Sequence, residues 1–549
     1  MCPFDLTAVT RLKIKKRLPL RIVLLAATGA MMLGQTAAKR YADDNAMLTD
    51  RQMAHHVLSR LAFGPRPGQV DDLIEVGWEN WVKKQLDPQS LDDDQTDAVQ
   101  HDSWPSLAMS MTDIFTTYRP PYPTDREPTP EEEEIRYNLR HKLKRELVES
   151  VLHRAIHSNR QFQEVIVEFW RNHFNIFQDK SDVQFLANHY EVNVLRRHAF
   201  GKFGNMLMAS ARHPAMLIYL DNVVSQKPLT PIEQRLVARY EGRKRQPASV
   251  IARARHRGLN ENYARELMEL HTLGVDNYYS QFDVIEVARV LTGWSAGWSH
   301  GAEGQGEYGF IFRPHVHDER KKIVLGSRIP GRGVEEGERL VRSLAKHRGT
   351  AKFISWKLCR FLVSDEPSER LVNQVAQVFR RSGGNLPKVY EAIIFSRDFL
   401  SRDNYRSKFK SPFELVVSAL RVVDAKIENF DAIIHTLRMM GQPIYGCVDP
   451  PGYGDQAEAW LDPGVMVYRW DFALRLANGR IGGVSIPQSV IDSVSELSLD
   501  ERTETLIKLI VPDELDTPTQ SLLNDAIKRQ VATRPMMGVA IGSPMFQQQ

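Results

Sequence analysis

Apolar residues recur every three to four positions along most of this chain, the spacing that places them on one face of an α-helix. The segment 48–63 is an example: its apolar residues stand at positions 53, 57, 58 and 61, and Thr49 or Asp50 can cap its start. The same spacing predicts helices at 70–86, 135–158, 161–176, 183–212, 260–276, 335–363, 367–382, 386–397, 412–425, 430–440, 464–478 and 486–532. The sequence therefore predicts an all-α, mainly helical fold arranged as a multi-helix array.

One segment, 308–329, has the alternating pattern of β-strands instead. Residues 309–313 (GFIFR) and 322–326 (KIVLG) can pair across the HVHDER sequence that connects them, so we expect one small β-hairpin or sheet there. Strands are otherwise too scarce for the sheet of an α/β enzyme core.

The chain has 549 residues, which is long for one compact core and favours more than one lobe. A proline-rich linker at 118–134 and a polar, basic insertion at 226–258 interrupt the helical pattern. The predicted organisation is a signal peptide at 1–38, an N-terminal helical lobe at 39–225 that contains the linker, the insertion at 226–258, a central and C-terminal helical lobe at 259–480, and C-terminal helices and tail at 481–549.

The N-terminus has the order of an export signal: a basic region ending at Arg21, an apolar run at 22–33 and small residues at 36–38. The apolar run is short for a membrane span, and no later stretch is long and apolar enough for one. Retention of the segment as an uncleaved anchor is the alternative. We expect export to the periplasm, the cell envelope or the medium.

Net charge differs between the N-terminal segment and the rest of the chain. Residues 1–38 carry six Lys and Arg against one Asp, a net of +5 within a formal total of +4, so the rest of the chain stands at −1. A nearly neutral mature chain argues against nucleic acid as a partner.

Two cysteines remain beyond the signal segment. Cys359 lies in a helical pattern, where we expect it to pack as a small apolar residue. Cys447 lies in a loop at 441–463 that is rich in proline and glycine. The sequence leaves open whether the two form a disulfide after export.

Chemistry-bearing side chains are densest at 260–276, NENYARELMELHTLGVD. At about 100° per residue, Glu266 and Glu269 lie about 60° apart on one helix face, where two carboxylates can hold a hard cation or act as an acid–base pair. His271 lies about 200° from Glu269 on a continuous helix, so it can join them only if the helix ends near Thr272, which Gly274 favours. Glu266, Glu269 and His271 are therefore candidate catalytic residues.

The alternative for this helix is structural. Glu261, Arg265 and Glu269 are spaced four residues apart, with the glutamate before the arginine, which is the favourable order for a salt ladder. Such a ladder needs no ligand and no reaction.

Two further positions carry candidate metal ligands. His173 lies among the aromatic residues of FWRNHF at 169–174, and His317 with Asp318 lies between the two predicted strands. Together with Glu266 and Glu269 they could form a divalent-metal site. Each also has a structural alternative, because a histidine among aromatic residues is commonly a core residue and a His-Asp pair commonly forms a turn.

Eight strings distributed along the chain together resemble one family. They are RLAFGPRPGQVDDL (60–73), FWRNHF (169–174), HPAMLIYLDN (213–222), NENYARELMELHTLGVD (260–276), FRPHVHDERKKIVLG (312–326), KSPFELVVSALR (410–421), GQPIYGCVDPPGYGDQAEAWLDPG (441–464) and IGSPMFQQQ (541–549). Nearly the whole chain after residue 50 is similar to the bacterial family of exported proteins known as domain of unknown function 1800. The insertion at 226–258 is longer than the usual link between the neighbouring motifs, and Cys447 is not a hallmark of the family.

The resemblance implies an exported protein. It also implies a partner similar to the alkaline phosphatase/sulfatase superfamily, because genes for such proteins often neighbour those of this family. It implies no reaction and no catalytic residue.

Two functional hypotheses follow. In the first, the chain is a metal-assisted hydrolase-type enzyme of the cell envelope, and its candidate carboxylates and histidines converge on one ion. In the second, it is a non-catalytic exported scaffold or binding protein acting with a phosphatase/sulfatase-like partner, through the basic insertion or the aromatic residues Tyr453 and Trp460. The first hypothesis requires the carboxylates of 260–276 and at least one of His173, His317 or Asp318 to line one cleft.

Overall fold

The computed structural model describes residues 48–229, 258–275, 277–299, 306–330, 332–495, 517–529 and 532–549, with a few isolated positions between these ranges. The predicted signal peptide at 1–38, most of the predicted insertion at 226–258 and part of the predicted helix at 486–532 lie outside the described residues.

The described chain is 62% helical, which confirms the predicted fold class. Its α-helices are α1 (Asp50–Leu61), α2 (Gln69–Val76), α3 (Trp78–Gln85), α4 (Asp94–Ser103), α5 (Met111–Tyr118), α6 (Pro130–His157), α7 (Gln161–His173), α8 (Ala187–Tyr190), α9 (Phe203–Arg212), α10 (Pro214–Tyr219), α11 (Asn262–Met268), α12 (Gln281–Leu291), α13 (Val334–Lys346), α14 (Arg348–Leu362), α15 (Glu369–Arg381), α16 (Leu386–Ile394), α17 (Pro412–Val422), α18 (Asp431–Met439), α19 (Pro463–Ala477), α20 (Gln488–Ser495), α21 (Thr517–Lys528) and α22 (Thr533–Ile541). Two π-helices, Glu191–Arg196 and Glu269–Leu273, continue α8 and α11.

Local sequence explains where several helices begin and end. In four of them the residue before the helix and the third helical residue cap each other's backbone N–H groups: Thr49 with Gln52, Thr129 with Glu132, Ser280 with Asp283, and Ser411 with Glu414. The single helix predicted at 70–86 is wrong, because Gly77 at φ +83° separates α2 from α3.

The strands form three antiparallel pairs: β1 (Trp294–Trp298) with β2 (Tyr308–Phe312), β3 (Lys322–Val324) with β4 (Ser327–Ile329), and β5 (Lys426–Ile427) with β6 (Val484–Ser485). The β structure predicted at 308–329 is confirmed, but its two strands do not pair with each other. β2 pairs with β1, which precedes it, and β3 turns back through Leu325–Gly326 onto β4.

A cluster of buried apolar side chains runs through the described chain from Ala54 to Phe546. Helix α7 lies within it, and Trp170 is completely buried. Helix α14 packs against α15 and against the π-helix Glu269–Leu273. The lobe boundaries stay a prediction.

Cys359 on α14 is completely buried, as expected for a small apolar residue, and both Cys359 and Cys447 carry free thiols. Among the described residues, no helix combines the length and the apolar character that crossing a bilayer requires.

Candidate functional site

The helix that carries Glu266 and Glu269 changes its winding between them. Helix α11 ends at Met268 and continues as the π-helix Glu269–Leu273, which Gly274 terminates at φ +84°. A Cβ atom at Gly274 would lie 2.9 Å from the ring of Phe353. The expected helix end at Gly274 is thus confirmed, whereas the 100° spacing does not hold across the wider π-turn.

The salt ladder predicted on this helix forms only at its first step. The Arg265 Nη2 atom lies 3.6 Å from Glu261 Oε2, and both side chains are more than a third exposed. Glu269 instead accepts a hydrogen bond of 3.0 Å from the hydroxyl of Tyr279. Exposed pairs of this kind contribute about 0–1 kcal/mol, so the ladder is a minor source of stability.

Glu266 has an unusual acidity for a glutamate. Its half-buried position and the neighbouring negative charge of Glu269 raise its pKa to about 7, although Arg265 acts in the opposite direction. A carboxyl group with this pKa changes its charge near neutral pH.

His271 lies on the inner side of the same element. It is 2% exposed, and its ring centroid lies 5.2 Å from that of Phe174 and 6.2 Å from that of His173. Burial, with a smaller contribution from the positive charge of Lys357, lowers its pKa to about 3. His271 is therefore a neutral core residue at physiological pH.

His173 is similarly buried at the end of α7. Its ring lies 4.5 Å from that of Phe174 and stacks at 6.0 Å on Phe169. Neither ring nitrogen has a partner of normal hydrogen-bond geometry among the described residues, and a contact with the backbone of His271 acts to raise the pKa of the ring. Burial holds its pKa well below the ordinary value. One face of this histidine lines the cleft described below.

His317 belongs to a different set of neighbours. Its Nδ1 atom lies 2.7 Å from the carbonyl oxygen of Thr292, and its Nε2 atom lies 3.5 Å from Glu336 Oε2. The same Glu336 carboxylate forms an ion pair with Lys322, which is completely buried.

Asp318 forms ion pairs with two arginines, Arg289 and Arg320. Its carboxylate accepts hydrogen bonds of 2.9 Å from Arg289 Nε and 3.0 Å from Arg320 Nε, and its pKa lies well below the ordinary value because these hydrogen bonds outweigh the effect of burial. The Asp318 carboxylate therefore takes part in ion pairs with two arginines.

The candidate metal ligands thus divide between separate places. His173 lies near His271, while His317 and Asp318 have their contacts with arginine, lysine and Glu336. Within the ranges that the structure describes, no group of three or more His, Cys, Asp or Glu side chains is arranged to hold a metal ion.

A cleft that the sequence did not predict lies beside His173. It has a volume of about 280 Å³ and opens between α7, α14, the segment 408–414 and the loop 441–463. Its aromatic lining residues are Phe169, Phe353, Trp356, Phe361, Phe409, Tyr453 and Trp460. Its polar lining residues are Glu168, Asn172, His173, Lys357, Arg360, Lys408, Ser411, Glu414, Gln442 and Asp455. Aromatic walls with a few converging polar groups are typical of ligand sites.

Asn172 holds the loop 441–463 over this cleft. Its Nδ2 atom donates to the carbonyl oxygen of Tyr453 at 2.9 Å, and its Oδ1 atom accepts from the N–H group of Tyr453 at 2.7 Å. Gly452 adopts φ +79°, and a Cβ atom there would lie 2.4 Å from Asn172 Oδ1. Only glycine allows this close approach.

Among the described residues, Lys357 is the one cation lining the cleft that has no ion-pair partner within 4 Å. Lys408 Nζ lies 2.6 Å from Asp365 and 3.4 Å from Asp455, and Arg360 Nε lies 3.9 Å from Asp455. No described carboxylate lies within 4 Å of the Lys357 ammonium group, whose nearest aromatic partner is the ring of Phe353 at 5.9 Å.

The position of Lys357 in the cleft determines the pKa of its amine. Burial lowers its pKa to about 8, a shift that the negative charge of Asp455 reduces and the positive charge of Arg360 reinforces. A fraction of the Lys357 amines is therefore neutral near pH 7–8, and the charged remainder has no described carboxylate within ion-pair distance.

Glu168, on the α7 side of the cleft, has a pKa that is shifted upward, in the direction opposite to that of Lys357. It forms an ion pair with Arg171, but the same guanidinium group also holds Glu191, with Nη2 and Oε1 2.8 Å apart. Burial raises the pKa of Glu168; Arg171 opposes this shift, while the carboxylates of Glu191 and Glu414 add to it.

The helical fold and this cleft define a class of protein: a mainly α-helical chain with an aromatic, mixed-charge cleft closed on one side by a long loop. Residues 56–548 match the family model described as "Protein of unknown function (DUF1800)". The chain belongs to this family. No curated protein and no solved structure matches it.

Sequence reasoning missed Lys357, Arg360 and Lys408 as site residues. A signal was present for the first two, because they follow Phe353 and Trp356 at helical spacing on one face of α14. An arginine or lysine on an aromatic helix face is a marked departure from amphipathic patterning.

Replacing Glu266 by Gln tests the acidity of that carboxyl group. The pKa of Glu266 is 4.5 in the unfolded chain and about 7 in the folded chain. The folded chain is therefore destabilised by ionisation of Glu266, and its free energy of unfolding falls as the pH rises from 4.5 to 7. We expect Glu266→Gln to be more stable than the parent chain at pH 8 by about 1 kcal/mol, after solvent screening of a half-buried group, and similar to it at pH 4. Urea denaturation at both pH values measures this. The exposed Glu75→Gln is the control, and an equal effect of Glu266→Gln at both pH values would refute the assignment.

Replacing Asn172 by Asp tests the anchoring of the loop 441–463. The substitution keeps the acceptor for the Tyr453 N–H group but sets a carboxylate oxygen against the Tyr453 carbonyl oxygen. We expect a loss of about 1–3 kcal/mol in unfolding free energy and faster proteolysis within the loop. Asn80→Asp is the matched control, because its amide also donates to a backbone oxygen, at 3.0 Å, but is exposed. Equal stability of the two variants would show that the Asn172 hydrogen bonds do not hold the loop.

Proposed function

We propose that this is an exported protein whose cleft binds a ligand that joins an anionic group to an apolar or ring-shaped face. One observation carries the proposal: the Lys357 ammonium group lies in an aromatic cleft with no described carboxylate within ion-pair distance. Placing a charge in such surroundings is costly, and a ligand anion would offset that cost.

The walls of the cleft support a ligand of this kind. Trp356 and Tyr453 contribute apolar ring surface to the lining, and Asn172 and Gln442 contribute neutral hydrogen-bonding groups. A volume of about 280 Å³ suits a compact molecule rather than a polymer chain.

The position of the aromatic loop residues favours this cleft over a protein-docking surface. Trp460 is 6% exposed and donates its indole N–H to the carbonyl oxygen of Gly454, and Tyr453 donates its hydroxyl to the carbonyl oxygen of Pro443. Both rings line the cleft instead of projecting outward. A phosphatase/sulfatase-like partner stays a separate proposal, supported only by the family resemblance, and export is supported by the pattern of residues 1–38.

A hydrolase-type reaction is the second candidate. The specific observation in its favour is that one cleft raises the pKa of Glu168 and lowers that of Lys357. Two groups whose pKa values are shifted in opposite directions are suited to proton donation and proton acceptance. The metal-assisted form of this hypothesis lacks a described group of ligands, so the reaction proposed here uses protein side chains alone.

Calorimetric titration with matched charged and neutral compounds tests the binding proposal. Suitable pairs are glucuronate with glucose and phenyl phosphate with phenol. We expect an anionic member to bind at least 10-fold more tightly than its neutral analogue, and Lys357→Met to lose at least 10-fold of that affinity. Lys352→Met is the control, because Lys352 lies exposed on the same helix and does not line the cleft. Failure of every anion to bind, or equal affinity in Lys357→Met and the parent chain, would contradict the proposal.

A further inference from the structure

A second cavity, of about 290 Å³, shares no lining residue with the cleft. It lies between α2, α3, the α6–α7 connection and the end of α17. Its lining residues are Arg66, Gln69, Val76, Trp81, Lys84, Gln85, Leu91, Ser158, Asn159, Gln161 and Arg421. Three of these side chains are cationic and none is a carboxylate, so the described lining has an excess of positive charge.

Arg421 is the buried cation of this cavity. It is 2% exposed, and it donates to the carbonyl oxygens of Gly64 at 3.0 Å and Ile156 at 2.7 Å and to the side-chain oxygen of Gln69 at 3.4 Å. All three acceptors are neutral. These contacts satisfy hydrogen bonds without neutralising the guanidinium charge, and no described carboxylate lies within 4 Å of it.

Arg66 brings a second guanidinium group to the same point. Its Nη2 atom donates to the carbonyl oxygen of Ile156 at 2.7 Å, the oxygen that also accepts from Arg421. Its Nη1 atom lies 4.0 Å from Asp424, whose carboxylate is 55% exposed. Two arginines that converge on one oxygen repel each other, and a half-exposed carboxylate at 4.0 Å offsets little of this repulsion.

The C-terminus of α6 offsets part of the positive charge of Arg66 and Arg421. Ile156 lies in its last turn, where unpaired carbonyl groups favour cations. This effect amounts to about half an elementary charge, which is less than the two guanidinium charges that meet there. Lys84, exposed on α3 and without a described ion pair, adds a third positive charge at the rim.

We propose that this cavity binds the oxyanion group of a small ligand, a phosphate or sulfate group held between Arg66, Lys84 and Arg421. Guanidinium groups present paired N–H donors that match the oxygens of such an anion. Trp81 and Leu91 provide apolar surface beside the charges, which suits a small organic group attached to the anion.

The test uses the mature chain and inorganic phosphate and sulfate as probes. Each is titrated at constant ionic strength, with sodium chloride as the compensating salt, and binding is followed by calorimetry and by the unfolding temperature. We expect saturable 1:1 binding of at least one oxyanion, with a higher unfolding temperature than in chloride. The double variant Arg66→Gln/Lys84→Gln should bind at least 10-fold more weakly. Lys83→Gln, next to Lys84 but outside the cavity lining, should leave the affinity unchanged.

Arg421 is left intact because its buried hydrogen bonds join three segments of the chain, and its loss could prevent folding. If Arg66→Gln also fails to fold, Lys84→Gln alone keeps the test decisive, because this exposed residue should still contribute at least 3-fold to the affinity. Absence of saturable binding, or an affinity that neither Arg66→Gln/Lys84→Gln nor Lys84→Gln reduces, would overturn the proposal. Phosphate binding without sulfate binding, or the reverse, would identify the preferred oxyanion.

Discussion

The cleft depends on the polar contacts that fix the loop 441–463 to the end of α7. Asn172 exchanges two hydrogen bonds with the backbone of Tyr453, and Asn175 donates to the carbonyl oxygen of Asp449 at 2.9 Å. Holding a long loop in one conformation otherwise has a large entropic cost. Because these contacts replace water for buried backbone groups, they allow the loop to form one wall of a cavity instead of a mobile surface segment.

The ionisable side chains on the two sides of the cleft differ in how well their charges are paired. Arg171 holds Glu191 and Glu168, and the hydroxyl of Tyr445 donates to Glu191 at 2.6 Å, so that side of the cleft is rich in acceptors with a compensating cation. Lys357 on α14 has no such partner among the described residues. The asymmetry gives the cleft both a carboxyl group with a raised pKa and an amine with a lowered pKa, which is why binding and acid–base chemistry are both consistent with one site.

Most helices could be predicted because their signals are local. Apolar spacing, the caps at Thr49 and Ser411, and the helix end at Gly274 are all encoded within a few residues. Strand pairing was missed because β1 lies in a glycine-containing WSAGW sequence without clear alternation, so nothing in the sequence indicated a partner for β2 before residue 308. The candidate site was missed for a related reason: α7, α14 and the loop 441–463 are far apart in sequence. Their convergence is a tertiary property that helical periodicity does not encode.

Measuring the pKa of Lys357 shows whether its ammonium group lies in this cleft without a carboxylate at ion-pair distance. Reductive methylation with ¹³C-formaldehyde keeps the amine titratable, and the ¹³C resonance of its dimethylamino group can be followed against pH. A Lys357→Arg variant assigns that resonance. We expect a pKa of about 8. An ordinary lysine value near 10.5 would show that Lys357 is solvated or paired, and would contradict the assignment of this cleft as the functional site.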